Sequence, residues 1–553
     1  MKNWNLLKNT KFFFFFILII LLANSGKGPD YQHYINWTFY FANSDFLVMS
    51  DYHKTRNGLP MSSWFYGSGL ISGLLSKIIF TNEALIIKIN SIILCSFNIF
   101  LIYKIIQKKG YSELTNFFII CIFYLVLPAG FYLNKFSSEA WTIFFTLFSI
   151  LLIDDEYKKK NLNYFLIGIC FYFLILIKPT NIFLCIGLMS VFYIKNIKEN
   201  YRLLFIGTFL IFLSLSLILI YQKLLLGNFF LNFYSYGDDQ FQSFSLINSH
   251  FIEVLFSSWH GISFYHPVFL LINLLLLISI FLRKNKNNML RYFCIICLCL
   301  FISQLIIQGS HSTWWMGTGT YGARGFAGIS VLIFYLSLDQ IHLLKKIRIT
   351  HSIKIIFFLL LMWHTYILSM GVTNFVNYNS FLNKFFSQSS FILLTKITFL
   401  CLITFYINKR LKYDFLKFFK LLTIILFAFI IIDQLFSEYK NNSFYILILG
   451  FFIAYILTSF TKRFNKNKFN FLFLNAKKII SFLLIFVFLN SFYFQYNLFS
   501  QYEKKIDFDY IGGNNFNCFE AITSYNEYSY IPGYKEEKKL WYNFLEKSKC
   551  FIN

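Results

Sequence analysis

Residues 203–221 read LLFIGTFLIFLSLSLILIY. The run holds no charge and follows directly on Lys198 and Arg202. At 1.5 Å per residue a helix of this length is roughly 28 Å long, close to the ~30 Å of a bilayer's hydrocarbon core. Comparable runs recur along the chain, at roughly 12–23, 84–103, 114–133, 139–153, 162–177, 180–194, 266–282, 292–308, 326–344, 355–371, 391–407, 418–433, 443–460 and 479–494. The composition agrees: 57% of the residues are hydrophobic and 14% charged, where soluble chains carry about 25% charged. The expected fold is all-α, a polytopic transmembrane helical bundle of about 13–15 spans.

The connections alternate in charge. Lys104, Lys158, Lys195, Arg283, Lys345, Arg410 and Lys462 each stand in a short basic connection, and these fall at every second gap. Cations are retained in the cytoplasm, so this alternation places the N-terminus inside and the tail, 495–553, outside. The net charge of +25 is therefore an orientation signal distributed over loops, and no nucleic-acid partner is expected. The abundance of Phe and Tyr, 76 and 37 residues, reads first as an AT-rich coding bias. The run at 12–23 resembles a signal peptide in outline and is read as a retained anchor. Either way residue 30 emerges outside.

Cys294, Cys297 and Cys299 lie within an apolar run with no His or acidic neighbour, so they read as small hydrophobes. Cys518 and Cys550 stand in the polar tail, where an oxidising compartment permits a disulfide between them.

The loops facing outward, about 24–83, 222–265 and 309–325, are longer, less basic, and rich in His, Trp, Tyr and Gly. Residues 28–34, GPDYQHY, open the first of them. Gly67, Ser68, Gly69 and Gly73 then lead into a short amphipathic helix expected to lie in the membrane interface. Asp238 and Asp239 read as a solvated loop, and His260 as a hydrogen-bonding residue of the interfacial belt.

Several of these stretches together resemble the GT-C superfamily of membrane glycosyltransferases, which includes protein O-mannosyltransferases and aminoarabinose transferases (the family 39-like members). Asp30, His33 and Tyr34 fit its first outer loop, with Tyr31 where an acidic residue is usual. Glu139 in NKFSSEAW matches a second acidic residue at the outer end of a span. LIKPTN resembles an RPT turn, with Lys178 for Arg. His266 stands where Ser is usual in SSWHGISFYHPVF, and STWWMGTGTYGARGFAG keeps Arg324 but has Ala323 for Pro. The matches cover roughly the first 330 residues, in order and on one side of the membrane.

The resemblance implies transfer of a sugar from a polyprenyl-phosphate donor to a glycan, lipid or protein acceptor at the outer face of the cytoplasmic membrane. It implies Asp30 as the base that takes the acceptor's proton, with Glu139 as the second catalytic carboxylate. Arg324, then Lys178, would offset charge on the leaving phosphate. His33, Tyr34, His266, Trp314, Trp315 and Tyr321 complete the expected donor-binding set. No cofactor is required by this reading, although a divalent metal, Mg or Mn, is compatible with it; no metal ligand set is assigned.

The chain then divides into a catalytic module at 1–345, further helices at 346–494 and a small outer tail at 495–553. Two other classes fit less well. A polymerase or ligase of the O-antigen type would place its main loop late in the chain. A flippase or transporter would need charges at mid-membrane, and the spans here carry almost none, with Lys88 and Lys396 near span ends.

Overall fold

A computed structural model describes residues 26–28, 31–43, 65–77, 83–111, 113–154, 160–195, 200–226, 246, 249–257, 260–282, 288–311, 322–338 and 480–496, with a few positions between 359 and 367. The spans at 12–23, 391–407, 418–433 and 443–460, and the cysteines of the tail, lie outside the described residues.

The described chain is dominated by helices. After a two-residue strand β1 (Gly26–Lys27) come α1 (Tyr31–Asn43), α2 (Gly67–Lys77), α3 (Glu83–Lys108), α4 (Glu113–Val126) and α5 (Pro128–Tyr132). A second short strand, β2 (Lys135–Phe136), precedes α6 (Ser138–Ile153) and α7 (Lys160–Ile177). A 3-10 turn, Pro179–Asn181, leads into α8 (Ile182–Lys195) and α9 (Asn200–Leu226). Short helices α10 (Phe251–Phe256) and α11 (Ile262–Tyr265) are followed by α12 (Pro267–Leu282) and α13 (Asn288–Gly309). A 3-10 turn, Arg324–Phe326, opens α14 (Ala327–Leu338), and α15 (Ile480–Tyr496) is the last helix among the described residues. Among the described residues three stretches are long and apolar enough to cross a membrane: Ala84–Lys108, Tyr201–Lys223 and Met289–Gly309.

The centre of the bundle is α6. All of its sixteen residues are buried, as befits a helix that is apolar all round. It packs against α3, α7 and α14. Its start is fixed locally: Ser137 is extended, and its hydroxyl accepts from the Ala140 N–H at 3.3 Å, an N-cap. The far helix α15 returns to this core. Gln495 donates to the Tyr172 hydroxyl at 2.6 Å, and Phe488 meets the Tyr172 ring edge-on at 4.9 Å.

Two expectations are corrected. The run at 114–133 is divided between α4 and α5, because Pro128 lacks the N–H that would continue a helix and instead starts a new one. The helix at Gly67–Lys77 does not present an amphipathic face. Residues 65–74 are all buried, and the helix packs along α1. Its small residues serve that contact: a Cβ on Gly69 would stand 2.1 Å from Cβ of Trp37, and one on Gly73 would stand 2.6 Å from Cβ of Phe41. Small residues that let two backbones approach are a means of helix association, not of lying in an interface.

Candidate functional site

Four segments far apart in sequence meet at one end of α6. Glu139 lies in the first turn of α6, where the unsatisfied N–H groups favour a negative charge. Lys178 follows α7 in extended conformation, held there by Pro179 at the head of the 3-10 turn. Arg324 opens the turn before α14, and Tyr34 lies in the first turns of α1.

Their side chains converge. Arg324 Nε donates to Glu139 Oε1 at 2.6 Å, and the Lys178 ammonium donates to the same oxygen. Arg324 Nη2 donates to the Tyr34 hydroxyl at 3.3 Å, and that hydroxyl donates to Ser138 Oγ at 2.7 Å. Glu139 and Arg324 are 2% and 1% exposed, while Lys178 keeps 18%. Charges withdrawn from water to this extent are tolerable only when paired and hydrogen-bonded. Glu139 Oε2 is buried and has no hydrogen-bond partner among the described residues.

The segment leading to Asp30 is tied to the segment leading to Glu139. β1 pairs in parallel with β2, Gly26 opposite Lys135 and Lys27 opposite Phe136. Gly28 continues the approach: a Cβ there would lie 2.8 Å from the Phe136 carbonyl oxygen and 3.0 Å from Ser137 Cβ. Gly28 precedes Asp30 by two positions and Ser137 precedes Glu139 by two. Asp30 itself lies outside the described residues, as do Trp314, Trp315 and Tyr321. His33 is in α1 beside Tyr34, but its side chain is likewise outside the described set.

Two histidines back the Arg324 turn. His266 is fully buried at the start of α12, and a Cβ on Gly322 would stand 2.5 Å from its Nε2. Gly322 adopts a φ of +60°, the left-handed region that favours glycine. His260 is fully buried, stacks on Tyr265 with ring centroids 5.9 Å apart, and hydrogen-bonds the backbone of Gly322. Burial is the main influence on its imidazole, and with the positive field of Arg324 it pushes the pKa down to about 3. His260 is thus neutral at ordinary pH, a packed part of the wall and not a belt residue in the interface. No sequence signal placed it here, since its contact with Gly322 spans more than sixty residues.

Among the described residues no three His, Cys, Asp or Glu side chains converge in a way that could hold a metal ion. Cys294 and Cys297 are buried and unbridged, and Cys299 is exposed.

A second triad closes the opposite end of the same three segments. Lys195, at the end of α8, donates to Asp154 Oδ1 at 2.7 Å. The Tyr335 hydroxyl, on α14, donates to that oxygen at 2.5 Å. The Tyr335 ring also takes the ammonium groups of Lys109 and Lys195, 4.5 and 4.9 Å from its centroid. In the sequence Lys195 is one of many orientation charges and carries no sign of this cluster.

Comparison with family models, with curated proteins and with solved structures returns no match.

Proposed function

We propose that the chain is a multi-pass membrane glycosyltransferase. It moves a sugar from a polyprenyl-phosphate donor to a glycan, lipid or protein acceptor at the outer face of the cytoplasmic membrane. The observation that carries this reading is the convergence of Tyr34, Glu139, Lys178 and Arg324, drawn from four distant segments, into one buried cluster. These are residues whose motifs resemble one family, and the cluster they form suits an anionic ligand.

The chemistry follows from the residue types. The acceptor oxygen attacks the anomeric carbon while the bond from that carbon to the phosphate oxygen breaks. The bonding pair leaves with the polyprenyl phosphate, and the acceptor's proton passes to Asp30. Arg324 and Lys178 offset the charge that develops on the leaving phosphate. The guanidinium suits this task because its donors lie in one plane, matching two phosphate oxygens. Glu139 keeps the two cations in place, and Tyr34 fixes the second edge of the guanidinium. The β1–β2 pairing brings the backbone before Asp30 to the start of α6, which supports a base beside this cluster.

The test supplies lipid-linked sugar donor to membranes that carry the full chain. Asp30→Asn should insert normally and slow transfer by roughly 10²-fold or more, the usual scale for losing a general base. Arg324→Lys should raise the donor concentration needed as well as slow turnover. Transfer at the wild-type rate by Asp30→Asn would remove Asp30 from the reaction. Unchanged envelope glycans in cells lacking the gene, beside altered uptake of a small solute, would replace the enzyme with a transporter.

A further inference from the structure

The cluster at the head of α6 uses Glu139 unevenly. Both cations are directed at Oε1, whereas Oε2 is buried and takes no hydrogen bond among the described residues. A carboxylate oxygen withdrawn from water and left unsatisfied is costly, far more so than a neutral group in the same place. Native interiors retain such an atom where it has a catalytic role or where a water, an ion or a ligand completes it. An ionised carboxylate can only accept, so the missing partner is a donor.

We infer that Glu139 Oε2 accepts a hydrogen bond from a hydroxyl of the ligand, and that this contact sets which sugar the site takes. The inference rests on the sugar-phosphate reading above. Lys178 and Arg324, which would hold the phosphate, already touch Oε1. Oε2 is the other oxygen of the same carboxylate, so the group it meets lies next to the phosphate. In a glycosyl phosphate the hydroxyl that fits is the one on the carbon adjacent to the phosphate-bearing carbon, the 2-hydroxyl. On this assignment the hydroxyls at positions 3, 4 and 6 make no bond to Oε2. The ligand class is therefore a glycosyl phosphate with a free 2-hydroxyl. Glu139 is then a specificity-determining residue, which reads the sugar with one oxygen and holds the phosphate-binding cations with the other.

A site built to bond a hydroxyl discriminates strongly against the analogue that lacks it, because the buried acceptor is left without a partner. The probes are a short-chain prenyl phosphate hexose and its 2-, 3-, 4- and 6-deoxy analogues. Equilibrium binding is measured on the purified full-length chain in lipid nanodiscs. The 2-deoxy analogue should bind on the order of 10²-fold more weakly than the parent, and the other three should bind within a few-fold of it. In Glu139→Gln the cations favour the amide oxygen and turn the NH₂ toward the ligand, a donor where an acceptor stood. The preference over the 2-deoxy analogue should then fall to a few-fold. If that variant does not fold, the deoxy series on the wild-type chain decides alone. Parent binding without loss at position 2 overturns the inference and leaves the glycosyltransferase reading standing. Failure of the parent itself to bind overturns both.

Discussion

Glu139 and Asp154 stand at the two ends of one wholly buried helix, and each accepts from a lysine at the matching end of the neighbouring segment. Lys178 meets Glu139 and Lys195 meets Asp154, while Arg324 and Tyr335 at the two ends of one further segment complete the pair of triads. The fifteen helical steps from Glu139 to Asp154 span roughly 22 Å. Three segments are thus fastened at both ends, with the candidate site at one end and a lysine-rich clamp at the other.

The fastening at Glu139 should carry more of the stability. Arg324→Met leaves the Glu139 charge buried with Lys178 alone and should cost about 3–5 kcal/mol. Lys178→Met should cost less, since Lys178 is the more exposed partner and Arg324 remains. Thermal unfolding of the detergent-solubilised chain ranks the two variants, and a larger loss for Lys178→Met would contradict the geometry.

At the opposite end, Tyr335→Phe removes two hydrogen bonds, the one donated to Asp154 and the one accepted from Lys195, and should cost about 1–3 kcal/mol, and Asp154→Asn about 1.5–3 kcal/mol. The two ends share no partner and lie well beyond coupling distance. Effects of Asp154→Asn and Glu139→Gln should therefore add to within about 0.5 kcal/mol. A larger interaction term in the double-mutant cycle would mean that the helices transmit strain between the triads.

Gly322 and Gly110 offer a controlled comparison. Both have positive φ, +60° and +70°, so a side chain at either should cost about 1–2 kcal/mol in backbone strain. A Cβ at Gly110 meets nothing within 4 Å, but at Gly322 it meets the buried His266 ring. Gly322→Ala should exceed Gly110→Ala by about 1–3 kcal/mol of overpacking. Equal losses in unfolding midpoint would place the cost in the backbone alone.

Acid should loosen the wall behind Arg324. His260 has a pKa of about 3 when folded against an ordinary value of 6.5. Between these values the unfolded chain binds the extra proton, so stability rises with pH. The full contribution is present above pH 6.5 and is lost progressively as pH falls toward 3. Going from pH 7.5 to 5 should cost about 2 kcal/mol from this group. Burial pushes His311 in the same direction. Unfolding midpoints of the wild type and of His260→Gln, followed from pH 7.5 to 5, test this. The variant's midpoint should fall less steeply, and parallel curves would exclude His260 as the source.

Much of this molecule is written locally. The apolar run at 203–221 lies within one helix, Tyr201–Lys223, and the run at 139–153 lies within α6, because apolar length and hydrogen-bonded backbone are properties of a contiguous stretch. Pro128 and Pro179 likewise act on their own neighbours. Motif reading singled out Tyr34, Glu139, Lys178 and Arg324 one by one, since each stands where a span begins or ends. Only the tertiary structure decided that they touch. The spacing between Tyr34 and Arg324 is 290 residues, and no periodicity in the chain encodes so distant a contact. The helix at Gly67–Lys77 shows the same division. Its small residues read locally as the lead into an amphipathic interfacial helix, yet what fixes their place is α1 against them. The clamp of Asp154, Lys195 and Tyr335 was illegible for a further reason. A lysine that orients a membrane protein and a lysine that bonds a buried carboxylate look alike in sequence, and they differ only in what the fold brings to them.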